Sequence, residues 1–376
     1  MVCRGSDCEW LIVGAGLHGC HLAIRLQAVG VPSGDIRLVD PHSPFELWRK
    51  RTSRLSMSHL RSPSVHHLGL QPLDLESFAG SRRRNRKSGF RGSCARPQLE
   101  LFNRHCEALT DEYALASMHT SAAAVDIRPA ADRMIVELSS GDSLTARNVV
   151  LALGSPAPFR PAEFSQAPHV LDPEWQLPFD GSGATVIGGG ITAVQLALAL
   201  SDDGASVELV TRHPIRTAAF DSDSCWIGPA CMARFDSEPS YEKRRAIIRE
   251  ARNYGTVPTD VKRALVRARN AGRIHIRQVN DLASVAGRDR VVLATGFAAC
   301  RPGGALLDRL VEGISLSVAP CGFPIPTRKL RWHERLWVTG GLAELELGPT
   351  ARNIVGARRA ADRIVFAGRQ ERRRVA

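Results

Sequence analysis

Residues 10–40 read WLIVGAGLHGCHLAIRLQAVGVPSGDIRLVD, and this stretch decides the fold. Glu9–Val13 is a short apolar strand signal. Residues 17–29 then place Leu22, Ala23, Leu26 and Val29 at helical spacing, and Ile36–Val39 is a second apolar strand that ends in Asp40. Strand, glycine turn, helix and strand make a βαβ unit. The turn is Gly14-x-Gly16-x-x-Gly19. In such a turn the first glycine makes the bend, the second lets backbone N–H groups approach a pyrophosphate, and the third lets helix and strand pack closely. The helix N-terminus favours phosphate charge, and an acid about 20 residues on, here Asp40, accepts from ribose hydroxyls.

A second unit begins at Ala184. Thr185–Ile187 reads as a strand, Ile191–Ser201 as a helix and Val207–Val210 as a strand, with Gly188-x-Gly190-x-x-Ala193 at the turn. Alanine is an accepted variant of the third glycine. Thr211-Arg212 stands where Asp40 stood in the first unit. An arginine there removes a carboxylate that would repel a 2′-phosphate and supplies a bidentate donor for it, which points to NADPH rather than NADH. Each unit is followed by the same kind of apolar ending, Leu151-Ala152-Leu153-Gly154 and Leu293-Ala294-Thr295-Gly296. Two dinucleotide sites in one chain pair most naturally as FAD in the first and NADPH in the second, since hydride passes from nicotinamide to flavin.

The rest of the chain fits a multidomain globular protein. It has 376 residues, 44% hydrophobic and 23% charged, a composition that excludes a disordered chain. Net charge is +12, and part of it is local: Arg82, Arg83, Arg84, Arg86, Lys87 and Arg91 cluster, as do Arg372 to Arg374. Phe90 is the one aromatic residue among these runs, so they read as solvated segments and not as a nucleic-acid surface. The 9 cysteines form no C-x-x-C pair, and no metal site is expected. Cys225 and Cys231 are read as free thiols in an irregular segment. No apolar run is long enough to span a bilayer, and the expectation is a soluble, cytoplasmic protein.

Residues 41–95 read as irregular, 98–109 as a helix, and 121–127, 134–139 and 143–147 as strands with a hairpin at Gly141-Asp142. A further strand runs Val149–Leu153, and a proline-rich stretch follows. Beyond the second unit, 214–256 is irregular to helical, 258–270 helical, and 274–277 and 290–294 are strands. The remainder holds a strand at Leu336–Thr339, a glycine turn and a helix from about Ala351 to Ala367.

GAGLHG, LALG, GGGITA, LATG and the C-terminal TGGLAELELGPTARNI together resemble the two-dinucleotide-binding-domain flavoproteins. Within these the similarity is to the branch of flavin N-hydroxylases, flavin-containing monooxygenases and Baeyer–Villiger monooxygenases. That branch carries F-x-G-x-x-x-H-x-x-x-W before the second glycine motif, where this chain has Phe164, His169 and Trp175 at longer spacing and no glycine. Its relatives close with Gly-Asp on the flavin ribityl chain, where this chain has Thr339-Gly340-Gly341, with Glu344 and Glu346 a few residues on.

The resemblance implies an α/β protein of two Rossmann-like domains, the NADPH domain inserted into the FAD domain. The expected boundaries are 1–165 and 301–376 for FAD and 176–300 for NAD(P). It implies that NADPH reduces FAD, followed by oxygen activation and hydroxylation of a small-molecule amine or sulfur. One alternative is an NADPH-dependent reductase feeding a ferredoxin-like partner docked on the basic run. Another is a non-catalytic nucleotide-binding protein. A homo-oligomer is compatible with either enzyme. Cofactor-binding positions are expected at Gly14, Gly16, Gly19, Asp40, Arg61, Gly154, Gly188, Gly190, Ala193, Arg212, Gly296, Gly340 and Asn353. Arg61 enters because the 60–67 segment, with His66 and His67, falls where such proteins wrap the flavin; Trp48, Arg49 and Arg51 are weighed for the flavin face. Asn353 precedes the helix whose dipole would point at the flavin pyrimidine edge. No general base stands out.

Overall fold

The structure is a computed structural model that describes residues 7–80, 89–176, 183–288 and 290–375. The chain opens as β1 (Asp7–Val13), α1 (Leu17–Ala28) and β2 (Ile36–Asp40), followed by helices α2 (Glu46–Ser53) and α3 (Leu99–Glu112). Strands β3 (His119–Ser121), β4 (Ala124–Ala130), β5 (Arg133–Leu138) and β6 (Ser143–Leu151) come next. The second unit is β7 (Ala184–Ile187), α4 (Ile191–Asp202) and β8 (Val207–Thr211), then α5 (Pro229–Ser237), α6 (Tyr241–Ala251), α7 (Thr259–Asn270), β9 (Ile274–Gln278) and β10 (Val291–Leu293). The chain ends with α8 (Gly304–Gly313), β11 (Arg331–His333), β12 (Leu336–Val338), a single turn α9 (Glu344–Leu347) and α10 (Ile354–Val375).

Two sheets result. In the first, the path runs β11-β12-β6-β1-β2-β3. β1 pairs parallel with β2, Trp10 opposite Ile36 to Val13 opposite Val39, and parallel with β6 out to Val13 opposite Leu151. The other edge of β6 is divided. Its first half pairs antiparallel with β5, which pairs with β4, and its second half pairs parallel with β12. The chain therefore leaves this sheet after β6 and returns to it at β12. The second sheet, β9-β8-β7-β10, is wholly parallel. Buried strands of this kind need both faces covered. On the first sheet α10 lies against the strands: a Cβ on Gly368 would come within 2.7 Å of the Trp10 ring.

The expected α/β class and both βαβ units are present, and several local expectations change. The two strands expected at 143–147 and 149–153 are one continuous strand, Ser143–Leu151. The break between them, Asn148, is buried; its side chain donates to Glu9 O and accepts from Trp337 Nε1 at 3.2 Å, so a polar residue sits satisfied inside the sheet. The 41–95 stretch contains helix α2, and 214–256 contains α5 and α6. The final helix starts three residues later than expected, at Ile354, and runs on to Val375. Cys225 and Cys231, read as free thiols, are a disulfide with Cα atoms 5.3 Å apart. Gly228 ends one short turn and Pro229 starts α5, which folds Cys231 back onto Cys225. Of the basic cluster, residues 82–87 lie outside the described residues, and Arg91 pairs with Asp260 at 3.2 Å. Among the described residues no helix is long and apolar enough to cross a membrane.

Arginines tie the two sheets together. Arg54 donates to the carbonyls of Val170, Asp172 and Pro173. Arg61 donates to Ala218 O and Phe220 O, to Thr256 Oγ1 and to Asp221 Oδ1. Arg54 spreads its donors over three carbonyls of one segment and Arg61 over two segments, a geometry that an ammonium could not reproduce.

Burial holds several histidines neutral: the pKa falls to about 3 at His21 and to about 4 at His66, His105 and His169. Unfolded histidine titrates near 6.5, so between pH 6.5 and 4 the unfolded chain binds protons that the folded chain refuses. Stability should therefore fall as pH drops through this window and level off below it. Urea unfolding at stepped pH checks this, and His105→Gln should flatten the slope. An unchanged midpoint from pH 6.5 to 4 would contradict it.

Candidate functional site

The two glycine turns are built the same way. Gly14 has φ +115°, and a Cβ there would lie 2.3 Å from the carbonyl oxygen of Ala152. Gly188 has φ +154°, and its Cβ would lie 2.4 Å from the carbonyl oxygen of Ala294. Only glycine tolerates that backbone with a carbonyl pressed against it. Ala152 and Ala294 are the matching residues of LALG and LATG, whose closing glycines Gly154 and Gly296 both have positive φ, +69° and +83°. The repeat seen in sequence is thus one structural device used twice: the end of a neighbouring strand props up the turn.

Past each bend the helix opens bare. Gly16 caps α1 and Gly190 caps α4, each extended, with no side-chain cap and no acid in the first turn. The first N–H groups of a helix lack intrahelical partners. A Cβ on Gly16 would meet nothing within 4 Å, and one on Gly190 would meet only Gly255 Cα at 3.8 Å. Both therefore leave open space in front of unsatisfied donors. Gly19 packs so closely that a Cβ would fall 1.8 Å from Gly14 O, whereas Ala193 accommodates its methyl, fully buried, beneath the second turn. Asp40 closes the first site: Oδ2 accepts from Ala15 N and Oδ1 from His42 N, both at 2.8 Å. Arg212 is exposed, directly beyond the end of β8.

A third segment converges on the first turn. His18, in the first turn of α1, shares a 3.0 Å hydrogen bond between Nδ1 and Thr339 Oγ1. Its ring lies 3.6 Å from the Cβ position of Gly340, which has φ +63°. His18 Nε2 is shielded from solvent and has no partner at hydrogen-bond distance. Burial lowers the His18 pKa to about 4, opposed by the backbone of Arg352 and Asn353. Thr350 Oγ1 in the same 348–353 turn is also buried without a partner. Glu344 and Glu346 do not face this space. Arg245 of α6 and Arg352 pair with Glu344, the latter at 2.7 Å, and Arg244 pairs with Glu346 at 3.0 Å.

Other singled-out residues lie elsewhere. Arg61 is committed to the 218–221 and 256 segments described above. His67 Nε2 donates to Pro72 O at 3.0 Å, its Nδ1 accepts from Gly69 N, and the ring stacks edge-on with His105, which is loop packing. Trp48 donates to Asn103 Oδ1 and Arg49 pairs with Glu107, both against α3, while Arg51 reaches Leu171 O. Phe164, His169 and Trp175 are buried where the linker packs on the second sheet, with His169 Nε2 3.2 Å from Thr295 Oγ1. No group of three potential metal ligands occurs among the described residues. His18 was not singled out from the sequence; its signal was a histidine inside the motif itself, between Gly16 and Gly19.

Comparison with known proteins agrees with this geometry. Residues 11–156 match a family model described as FAD-NAD(P)-binding. An ornithine N-hydroxylase from Kutzneria sp. 744, solved with reduced FAD, NADP+ and L-ornithine, superposes with TM-score 0.76 at 19% identity, covering 97% of this chain and 100% of that one. The two chains share one fold. The reduced ornithine hydroxylase of Pseudomonas aeruginosa gives 0.71 at 19% identity, covering 96% and 98%. A flavin-containing monooxygenase from Stenotrophomonas maltophilia gives 0.59, also at 19%, covering 96% and 98%. No curated protein matches the sequence.

The two glycines of the first turn should separate in experiment. Gly14→Ala drives a methyl into a backbone carbonyl at positive φ and should cost about 3 kcal/mol or more. Gly16→Ala points into open space and should stay within about 1 kcal/mol of the parent. Guanidinium unfolding of both variants measures this; equal destabilisation would contradict the geometry.

Proposed function

We propose that the chain is an FAD- and NADPH-dependent oxidoreductase, most specifically a monooxygenase that hydroxylates an amine nitrogen or a sulfur of a small molecule. The observation that carries this reading is the pair of bare, glycine-capped helix N-termini, each following a strand paired in parallel on both sides within its own sheet. In this reading residues 1–165 and 301–376 hold FAD and 176–300 hold NADPH. Open space before unpartnered N–H groups at Gly16 fits a pyrophosphate-bearing dinucleotide. Asp40, already oriented by Ala15 N and His42 N, keeps lone pairs for ribose hydroxyls. Gly154, two residues past the carbonyl that abuts Gly14, and Gly340, beside His18 of α1, would serve the same dinucleotide, and Asn353 stands before α10, whose positive end would favour negative charge on a reduced flavin. Gly188, Gly190, Ala193 and Gly296 would serve NADPH in the same way, with Arg212 free to take a 2′-phosphate.

Bound FAD would supply the redox chemistry, accepting hydride from NADPH and then engaging oxygen. The protein's own part is to bind and orient both dinucleotides and to keep water away from them. The structural similarity to ornithine N-hydroxylases supports an amine as substrate class. Cytoplasmic residence belongs to the same proposal: among the described residues six cysteines are free, Cys8, Cys20 and Cys106 of them buried, against the one Cys225–Cys231 disulfide, a bond rarer in a reducing compartment. The alternative of a reductase with a ferredoxin-like partner rested on the basic cluster. The one described member of that cluster, Arg91, is spent on Asp260.

The purified chain supplied with FAD should show a flavin absorption band that NADPH bleaches without oxygen, NADH acting more slowly. Arg212→Glu should raise the KM for NADPH roughly 10-fold or more and leave NADH nearly unchanged. A chain that takes up no FAD, or whose flavin NADPH leaves oxidised, overturns the reading.

A further inference from the structure

We propose that the Cys225–Cys231 bridge is a reversible thiol–disulfide exchange site. Closed, it clamps the start of α5 beneath Gly348; opened by a dithiol, it loosens the 348–353 turn and with it the hold on FAD. The effect on FAD rests on the cofactor reading of the first unit, whereas the exchange itself does not.

Position and chemistry set this pair apart from the other cysteines. Cys8, Cys20 and Cys106 are buried beyond the reach of a reagent, while Cys225 and Cys231 are both half-buried. A disulfide among free thiols, in a chain read as cytoplasmic, belongs to the class that opens and closes. Cys231 is the third residue of α5, and the first turn of that helix carries no acid. The uncompensated positive end favours a thiolate there, so Cys231 is the better leaving sulfur. Attack by one thiolate of the dithiol on Cys225 Sγ breaks the S–S bond, expels the Cys231 thiolate and leaves a mixed disulfide on Cys225. The second thiol of the reductant displaces Cys225 in turn. Two electrons pass to the bridge, the two reductant protons end on Cys225 and Cys231, and the reductant leaves as its own disulfide. The same steps run backwards with a disulfide reagent close the bridge again.

What the bridge holds is the start of α5. The helix has nine residues, a Gly228 cap with no side-chain bond and Pro229 at its first position, so it is too short to persist unaided. Its far end is secured separately: Arg244 of α6 donates to Asp236 O and Glu238 O and also to Leu345 O. Its near end leans on the bridge. Cys225 lies in the Ser224–Ile227 turn, which Asp223 caps and where Trp226 O accepts from Arg359 of α10. Cys231 precedes Met232, whose sulfur lies 3.1 Å from the Cβ position of Gly348, with Phe235 at 3.7 Å. The cross-link thus joins a turn held by α10 to the two buried side chains that support Gly348. Opening it frees the first from the second.

Amide hydrogen exchange of the purified chain, read by mass spectrometry before and after dithiothreitol, tests this. Alkylation should mark Cys225 and Cys231 only in the treated, still folded chain. Exchange across 226–235 and 346–351 should quicken roughly 10-fold or more, while β1 and β7 keep their protection. Oxidised glutathione should reverse both changes. Cys225→Ser/Cys231→Ser should exchange like the reduced chain and respond to neither reagent, which separates the bridge from the other cysteines. FAD should leave the reduced chain and the double variant roughly 10-fold faster than the oxidised chain. If the double variant does not fold, reduced and reoxidised wild type carry the test. A bridge that resists excess dithiothreitol in the folded chain, or opens with no change in exchange at 346–351, overturns the inference, and so does equal FAD release from the two forms. A chain that takes up no FAD overturns the cofactor reading instead, and hydrogen exchange still decides on the bridge.

Discussion

A carbonyl oxygen pressed against a glycine is the constraint on which the rest depends. Ala152 O beneath Gly14 and Ala294 O beneath Gly188 force each βα turn into a backbone that only glycine adopts. Because that oxygen belongs to the neighbouring parallel strand, the turn is fixed to the sheet and not to a mobile loop. The following helix then starts at a set height above the strand ends, its first N–H groups pointing into open space. Parallel sheets collect such helix ends on one edge, which is where ligands of open α/β sheets bind. The chain applies the device twice and so acquires two sites of the same kind.

Positive charge takes on a different meaning once the guanidinium groups are located. A net charge of +12 suggests an anionic partner, yet much of it holds the protein together. Arg54 and Arg61 bind carbonyls across the junction between the sheets, Arg244 and Arg252 bind Leu345 O and Pro349 O, and Arg358 binds His67 O and Gly69 O. Arg245 and Arg352 neutralise Glu344, which is almost wholly buried. The segments that flank the glycine turns are therefore braced by arginine. Removing one such arginine leaves carbonyls or a carboxylate unpaired in a low-dielectric interior, which is the costly way to lose a contact.

What could be read in the sequence was what local physics dictates. The glycines of both turns, the strands beside them and the echo of LALG in LATG were legible, because steric demands act within a few residues or recur at matching places. Asn148 broke an apolar strand in two for the reader, though in the sheet Trp337 satisfies it from 189 positions away. Arg61 looked like a cofactor residue from its place in a long loop; its partners lie near 220 and 256, too distant in sequence to foresee. The Cys225–Cys231 bridge depended on a turn at Gly228-Pro229 within a segment that showed no regular pattern. His18 was in plain view inside the first motif, but its contacts with Thr339 and Gly340 come only from the return of the chain to the first sheet.

The central claim is that two equivalent turns hold two different dinucleotides, and native mass spectrometry of the chain with FAD and NADP+ tests it most directly. Wild type should carry one of each. An aspartate at either helix cap would satisfy the bare N–H groups with its own carboxylate and repel phosphate, so Gly16→Asp should lose FAD alone and Gly190→Asp NADP+ alone, each folded. Binding of a single dinucleotide by the wild type, or loss of both from either variant while it remains folded, would contradict the account.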